Sequence, residues 1–259
     1  MSLSTCASAA PRAALCVIGN EVLTGKDTNS HFVARFMYRR GIDLVRVVVI
    51  PDELEAVKDL SDLVGPTGYV LTTGGIGPTH DDITYEGVAK AFGKGVELHQ
   101  PTVDGLRQHM LNRGYPESSV NADRLRMATL PAGCKTLSTA SWVPIAVMEN
   151  VYVLPGIPRM VREMLEFNEE HFQGVPIHRA IVHTLQMEGD LARPLAAIQS
   201  RHPLVAIGSY LNLTDDKTGS KDESYHTRLT VEGRDENEVE AVAAEIAAAT
   251  DGVRVDAKL

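Results

Sequence analysis

The sequence predicts an α/β protein with a three-layer α/β/α domain, built on a mostly parallel sheet, and a smaller α+β domain after it. Three observations lead to this prediction. Up to residue 172, short apolar segments alternate with segments whose apolar residues recur at helical spacing. The strand segments are apolar throughout, as in parallel sheets that helices cover on both faces. Beyond residue 176 the order becomes strand, helix, strand, strand, helix, strand, which is the ferredoxin-like βαββαβ unit.

The first domain is predicted to span residues 14–174. Its strands are expected at 14–18, 44–50, 69–73, 135–137, 145–148 and 151–154. Its helices are expected from the Thr28-Asn29-Ser30 cluster to Gly41, from Asp52 or Glu53 to Val64, from Asp82 to Phe92, from Pro101 to Arg113, from Asn121 to Thr129 and from Pro158 to Phe172. Sheets of this kind bind ligands beyond the carboxyl ends of their strands, so a site is expected in the turns that follow them.

A linker is predicted at 174–176 and a second domain at 177–259, which is within the usual size of a domain. Its strands are expected at 180–185, 204–211, 226–231 and 253–255, and its helices at 191–199 and 236–249. Residues 1–13 are rich in alanine and serine and are expected to form a disordered leader. They are too weakly apolar and too weakly basic for a signal or transit peptide.

Composition limits the function classes. The 259 residues are 44% hydrophobic and 23% charged, which is ordinary for a globular protein. The net charge of −9 argues against a nucleic acid as the main partner. Three cysteines without metal-ligand spacing support neither a disulfide framework nor a zinc site, so a reducing, cytoplasmic compartment is expected. No apolar stretch approaches the length of about 20 residues that crosses a bilayer, so no membrane partner is expected.

The segment from Val70 to Thr84, with the sequence VLTTGGIGPTHDDIT, is the most informative one. Apolar strand residues lead into Gly74, Gly75 and Gly77, where the missing Cβ allows positive φ and a close approach of main-chain N–H groups to a phosphate. The helix that follows directs its positive N-terminal end to the same place. The segment is neither the G-x-G-x-x-G fingerprint nor a Walker loop, since no lysine follows the glycines. It predicts an anion-binding turn.

Two further motifs, at 19–30 and 153–158, accompany this turn. Together the three motifs resemble the molybdopterin-binding fold family, which includes molybdenum-cofactor biosynthesis proteins, competence-damage-inducible (CinA-like) proteins and the first half of eukaryotic FAD synthases. The last two are the most similar, and the resemblance covers about the first two-thirds of the chain. The region from Val205 onward is similar to the part that follows this fold in eukaryotic FAD synthases.

Three carboxylates are the candidate catalytic residues: Asp52, Asp81 and Asp82. The resemblance aligns Asp52 and Asp82 with the acidic residues that follow the second strand and the glycine turn. If both face one pocket, they can coordinate a divalent cation together with phosphate oxygens. The alternative is that Asp52, and one of Asp81 and Asp82, cap the helices that follow them.

The candidate ligand-binding residues are Gly19, Asn20, Glu21, Asp27, Asn29, Ser30, Thr73, Gly74, Gly75, Gly77, Pro78, Thr79, Thr84, Pro155, Gly156 and Pro158. Each motif also has a plainer interpretation. Threonines beside glycines often only form turns, Asn29 or Ser30 suits a helix cap, and 155–158 suits a tight turn. At position 20 the family usually has aspartate, and the asparagine found here weakens a metal role for that position.

The resemblance implies hydrolysis of the pyrophosphate bond in FAD, ADP-ribose or a similar dinucleotide, assisted by a divalent cation such as Mg²⁺ or Co²⁺ and possibly by a monovalent cation. No haem, flavin or zinc prosthetic group is expected. The alternatives are molybdopterin binding or adenylylation, and non-catalytic nucleotide binding. The small-molecule partner is therefore a dinucleotide or a pterin, and a homodimer or homotrimer is expected. No segment resembles the FMN-adenylylating or amidase-like domains of these relatives, so neither activity is expected.

Overall fold

The structure is a computed structural model that describes residues 10–19, 22, 25, 29–50, 61–213 and 222–256. The chain divides into two compact units, Met1–Val175 and Pro176–Leu259. No helix in the described ranges has the length and apolar character needed to cross a membrane.

The first unit is built on a six-stranded, mostly parallel sheet, which confirms the predicted fold class. Its strands are β1 (Arg12–Ile18), β2 (Asp43–Ile50), β3 (Tyr69–Thr73), β6 (Lys135–Leu137), β7 (Ile145–Met148) and β8 (Val151–Leu154). They lie in the order β2-β1-β3-β8-β7-β6. The first four of these are parallel, and β7 runs antiparallel to both of its neighbours, β8 and β6. A separate two-stranded sheet pairs β4 (Val96–Leu98) with β5 (Thr129–Pro131).

Helices pack on this sheet because their apolar residues form one face. The helices of the first unit whose bounds lie in the described residues are α1 (Asn29–Arg39), α2 (Thr84–Ala91), α3 (Gln100–Asn112), α4 (Ala122–Leu125) and α5 (Pro158–Phe167). Residues 61–64 are also helical, and the rest of the helix predicted to start at Asp52 or Glu53 lies outside the described residues. Helix α1 contacts β1, β2 and α5, while α2 contacts β5 and β8. Leu15, Leu71 and Leu154 on the central strands are fully buried. Burying a side chain of this size contributes about 2 kcal/mol, so these strands add substantially to the stability of the unit.

Several predicted boundaries were wrong. Arg12 and Ala13, expected in the disordered leader, belong to β1 because they pair with Asp43 and with Tyr69 of the flanking strands. The helix expected from Pro158 to Phe172 ends at Phe167 and is followed by a 3-10 turn at Glu169–His171. The helix expected from Asn121 to Thr129 is a single turn capped by Asn121, then a 3-10 turn, and Thr129 already lies in a strand.

The second unit has the predicted ferredoxin-like topology. Strands β9 (His178–Thr184), β10 (Ala206–Leu211), β11 (Thr227–Gly233) and β12 (Val253–Val255) form an antiparallel sheet in the order β10-β11-β9-β12. Helices α6 (Glu188–Arg201) and α7 (Glu236–Ala249) are the two crossovers. The unit has a buried core of its own, to which Val182, Leu229 and Ile246 contribute.

Two cysteines lie in the described residues, and both are free thiols. Cys16 is fully buried on β1, and burial raises its pKa to about 12. The half-buried Cys134 also has a raised pKa, because of desolvation and then the nearby charge of Glu97. Both thiols are therefore protonated at neutral pH and poor nucleophiles.

Candidate ligand site at the carboxyl ends of the central strands

Three turns, which follow β1, β3 and β8, lie side by side at the carboxyl edge of the sheet. Because these strands are parallel neighbours, their chain exits are brought to one edge. The Gly74 N–H donates to the Leu154 carbonyl at 3.2 Å, and this bond continues the β3–β8 ladder into the turn. The Gly19 N–H donates to the Ile50 carbonyl, also at 3.2 Å, and this bond continues the β1–β2 ladder into the turn after β1.

The turns approach each other through one side-chain hydrogen bond and through main-chain atoms of two glycines. The side-chain amide of Asn29, a residue only 6% exposed, donates to the Gly156 carbonyl at 3.0 Å. A Cβ on Gly156 would stand 3.4 Å from the Gly74 Cα, and a Cβ on Gly74 would overlap the Ile18 carbonyl oxygen. The three predicted motifs therefore meet, and the backbone approaches so closely that a side chain is excluded at Gly74.

The glycine turn after β3 has the predicted left-handed backbone at two of its three glycines. Gly74 has φ of 108° and Gly75 has φ of 64°, values that favour glycine. Gly77 does not adopt positive φ, so the prediction was wrong there. A Cβ at Gly77 would lie 2.6 Å from Asp82 Oδ2, and its absence makes room for that carboxylate.

Thr84 fastens the glycine turn to helix α2. Its hydroxyl donates to the Gly74 carbonyl and its N–H donates to the Gly75 carbonyl, both at 2.9 Å. Thr84 is fully buried, so these bonds are shielded from water. Thr73 is also buried, and its hydroxyl has no hydrogen-bond partner in the part of the chain that the structure describes. It is a polar group directly beneath the turn.

Asp82 closes a turn and does not cap a helix. Its Oδ2 accepts from the Thr79 N–H at 2.9 Å and from the Thr79 hydroxyl at 2.5 Å. Helix α2 begins at Thr84, and its N-cap residue Ile83 makes no side-chain cap. The predicted helix start at Asp82 was therefore wrong, and the carboxylate is used within residues 79–82. The bonds to Thr79 engage Oδ2 and leave Oδ1 for another partner.

Asp81 is the more exposed carboxylate of the pair. Hydrogen bonding from Thr79, with a smaller effect of the nearby His80, holds the pKa of the Asp81 carboxyl below its ordinary value. The side chain of Asp81 is 62% exposed, and that of His80 is 99% exposed at 4.0 Å from it. Asp81 is ionised at neutral pH and accessible to solvent.

The remaining described candidates line the same edge. A helix cap was expected at Asn29 or Ser30, but both are already residues of α1, and the Asn29 side-chain amide reaches the Gly156 carbonyl. Pro158 is the first residue of α5, as predicted for a proline in a first helical turn. Pro155 is buried, whereas Pro78 and Gly156 are exposed.

Four candidates, Asn20, Glu21, Asp27 and Asp52, lie outside the described residues. The predicted pairing of Asp52 with Asp82 at a cation therefore stays a prediction. Among the residues that are described, no three histidine, cysteine or acidic side chains form a cluster able to hold a metal by themselves.

Arg126 belongs to this edge and was not among the predicted residues. It lies in the 3-10 turn at Arg126–Ala128, and its Nη2 donates to the Asp82 carbonyl at 2.9 Å. The same nitrogen is 3.6 Å from a carboxylate oxygen of Glu86 on α2. The segment around Arg126 has no motif, so only the three-dimensional contact shows the connection.

Residues 14–171 match the family described as a probable molybdopterin binding domain, and residues 176–258 match the FAD synthase middle domain. The first match covers more than half of the chain, and the chain belongs to the molybdopterin-binding-domain family.

Relatives with the same two parts include probable FAD synthases of two nematodes. The probable FAD synthase of Caenorhabditis briggsae is 30% identical to this chain, over 89% of this chain and 48% of its own length. The probable FAD synthase of Caenorhabditis elegans has the same identity and the same coverage. The chain thus spans about half the length of these curated relatives. A protein of Aeropyrum pernix is 36% identical over 60% of each chain.

A solved structure resembles the first unit. The CinA protein of Thermoplasma acidophilum, described as having unknown function, is 27% identical, with a TM-score of 0.54 over 63% of this chain and 98% of its own. This likeness supports the fold of the first unit.

Proposed function

We propose that the chain hydrolyses the pyrophosphate bond of a dinucleotide such as FAD or ADP-ribose, with the help of a divalent cation. One observation carries the proposal: three main-chain turns meet at Gly74 and Gly156, next to the N-terminus of α2 and the Asp81–Asp82 pair. Main-chain N–H groups and a helix N-terminus suit phosphate oxygens, and the adjacent carboxylates suit a hard cation. The similarity to proteins named probable FAD synthases makes a dinucleotide the first substrate class to test.

The residues present fit a magnesium-type ion. Such ions are commonly held by one or two carboxylates together with substrate phosphates, so a cluster of three protein ligands is not needed. Asp82 would contribute its Oδ1, and Asp52 is the second proposed ligand. When bound, the cation would neutralise charge on the phosphate oxygens.

In the proposed reaction Asp81 orients a water molecule toward one phosphorus atom of the diphosphate. The water oxygen forms a new bond to that phosphorus, and the bond from the phosphorus to the bridging oxygen breaks. FAD then gives FMN and AMP, and the protons released go to solvent. The protein contributes by positioning and by charge, and no covalent intermediate is needed.

The test is to incubate the purified chain with FAD, ADP-ribose or NADH, with MgCl₂, CoCl₂ or a chelator, and to measure the mononucleotides formed. We expect mononucleotides to be released only when the cation is present. Asp81→Asn should lower the rate of this release by about a hundredfold or more. Asp123→Asn, on the separate helix α4, is the matched control and should keep the rate. The absence of mononucleotide above the chelated control contradicts the proposal.

Two observations favour a second candidate, non-catalytic nucleotide binding. Asp82 is already engaged by Thr79, and the family's usual aspartate is replaced by asparagine at position 20. Tight binding of ADP-ribose by calorimetry without turnover would favour this candidate. Tight co-purification of a pterin would instead favour the molybdopterin alternative.

A further inference from the structure

Arg126 joins two segments that are distant in the sequence, its own 3-10 turn and the stretch from Asp82 to Glu86. It lies between α4 and β5, 44 positions from the turn whose Asp82 carbonyl it contacts at 2.9 Å. It is also within 3.6 Å of Glu86, in the first turn of α2. A guanidinium presents several donors in a fixed plane, so it can hold a carbonyl and a carboxylate together.

The turn that Arg126 holds determines where the carboxylates point. Residues 79–82 form a turn in which the Asp82 N–H donates to the Thr79 carbonyl at 3.1 Å. In the same turn the Asp82 carboxylate accepts a hydrogen bond from the Thr79 N–H. Ile83, the residue before α2, makes no side-chain cap. The main chain of Asp82 is held on both sides, since its N–H bonds within the turn and its carbonyl accepts from Arg126.

Arg126 also brings a positive charge to a turn rich in carboxylates. Its side chain is 36% exposed, and its Nε is buried without a hydrogen-bond partner in the part of the chain that is described. A cation so placed attracts an anionic ligand.

We propose that Arg126 is a positioning residue of this site: through the Asp82 carbonyl it sets the orientation of the Asp81–Asp82 pair toward a cation and the diphosphate of a dinucleotide. This inference rests on the proposed function, and it adds a residue that acts through the turn without touching the reacting atoms. Glu86 is its partner on α2 and holds the guanidinium in place.

The test compares Arg126→Gln with Arg124→Gln in the full chain. Arg124 is a matched control, because its Nη1 donates to the Ser119 carbonyl at 2.6 Å, also a contact from arginine to the main chain. For each variant we would measure kcat and KM for ADP-ribose, the MgCl₂ concentration for half-maximal rate, and amide exchange in residues 76–84. A third variant, Arg126→Lys, keeps the charge.

For Arg126→Gln we expect kcat to fall about tenfold to a hundredfold, the order of one lost charge-assisted hydrogen bond, and the required MgCl₂ concentration to rise. KM should change less than kcat, and amide exchange in residues 76–84 should become faster. Arg126→Lys should restore part of kcat. Arg124→Gln should leave all of these values near those of the wild type.

Two results would overturn the inference. If the wild type turns over and Arg126→Gln matches Arg124→Gln in kcat and MgCl₂ requirement, Arg126 has no positioning role while the proposed function stands. If the wild type neither hydrolyses nor binds ADP-ribose with MgCl₂, the proposed function and the inference fail together.

Discussion

At the scale of single residues, Gly74 is a position of the site where the backbone excludes a side chain. Its φ of 108° is rare for a residue with a side chain, and its missing Cβ lets β3 leave the sheet beside the Ile18 carbonyl. Gly93 offers a comparison within the same unit. It also has positive φ, at 66°, but a Cβ there would meet nothing within 4 Å.

We predict that Gly74→Ala lowers the free energy of unfolding by about 3 kcal/mol, because backbone strain and a collision with a main-chain oxygen add. Gly93→Ala should cost only about 1 kcal/mol, the strain alone. Urea unfolding followed by circular dichroism measures both. Equal losses for the two variants would show that the close approach at Gly74 has little energetic weight.

Individual residues also show what the sequence could and could not reveal about the site. Glycines, threonines and aspartates between two apolar elements signal a turn at a sheet edge, and so the turns at Gly19, Gly74 and Gly156 could be predicted. The parallel order of β1, β3 and β8 then brings them together. Arg126 could not be predicted, because a single arginine in a short predicted helix has no pattern that links it to Asp82.

At the scale of elements, prediction worked where hydrophobic runs were unambiguous. Strands β7, β8 and β12 and helix α7 have the bounds expected from the sequence. The β4–β5 pair was not predicted, because two three-residue strands are too short to show a period. The start of α2 was misplaced by two residues, since Asp82 resembles a cap in sequence but bonds backward to Thr79.

The contact between α6 and α7 gives the second unit a pH-dependent element. Arg201 and His202 at the end of α6 both reach Glu245 on α7, with His202 Nε2 at 3.2 Å from it. The hydrogen bond from Arg201, together with the smaller effect of His202, holds the pKa of Glu245 below its ordinary value of 4.5. A carboxyl with a lowered folded-state pKa stabilises the fold above its unfolded-state pKa and loses this effect as the pH falls.

We therefore predict that Glu245→Gln lowers the free energy of unfolding at pH 7. The difference in this free energy between the variant and the wild type should shrink as the pH falls below 4.5, and it should vanish below the lower folded-state pKa of Glu245. Urea midpoints measured between neutral and acidic pH would show this. In an Arg201→Met background the same substitution should have a smaller effect at pH 7. A difference that does not change with pH would contradict the assignment to the Glu245 charge.

At the scale of the whole molecule, each unit has a buried core formed from its own residues. The first core includes Leu71 on β3, and the second includes Leu229 on β11, and both side chains are fully buried. Trp142 packs against the first core and is the only tryptophan of the chain. Its fluorescence is therefore a reporter for the first unit.

We predict that Leu71→Ala and Leu229→Ala each remove about 2–5 kcal/mol from the unit that contains the substitution, because each leaves a cavity in a closed core. Leu71→Ala should lower the urea midpoint of Trp142 fluorescence, and Leu229→Ala should leave that midpoint near the wild-type value. Amide exchange in β9 and β11 should become faster in Leu229→Ala and stay near the wild-type rate in Leu71→Ala. If Leu229→Ala shifts the fluorescence transition as much as Leu71→Ala does, the two cores unfold as one cooperative unit, and the stability of the ligand site then depends on the second unit as well as on the first.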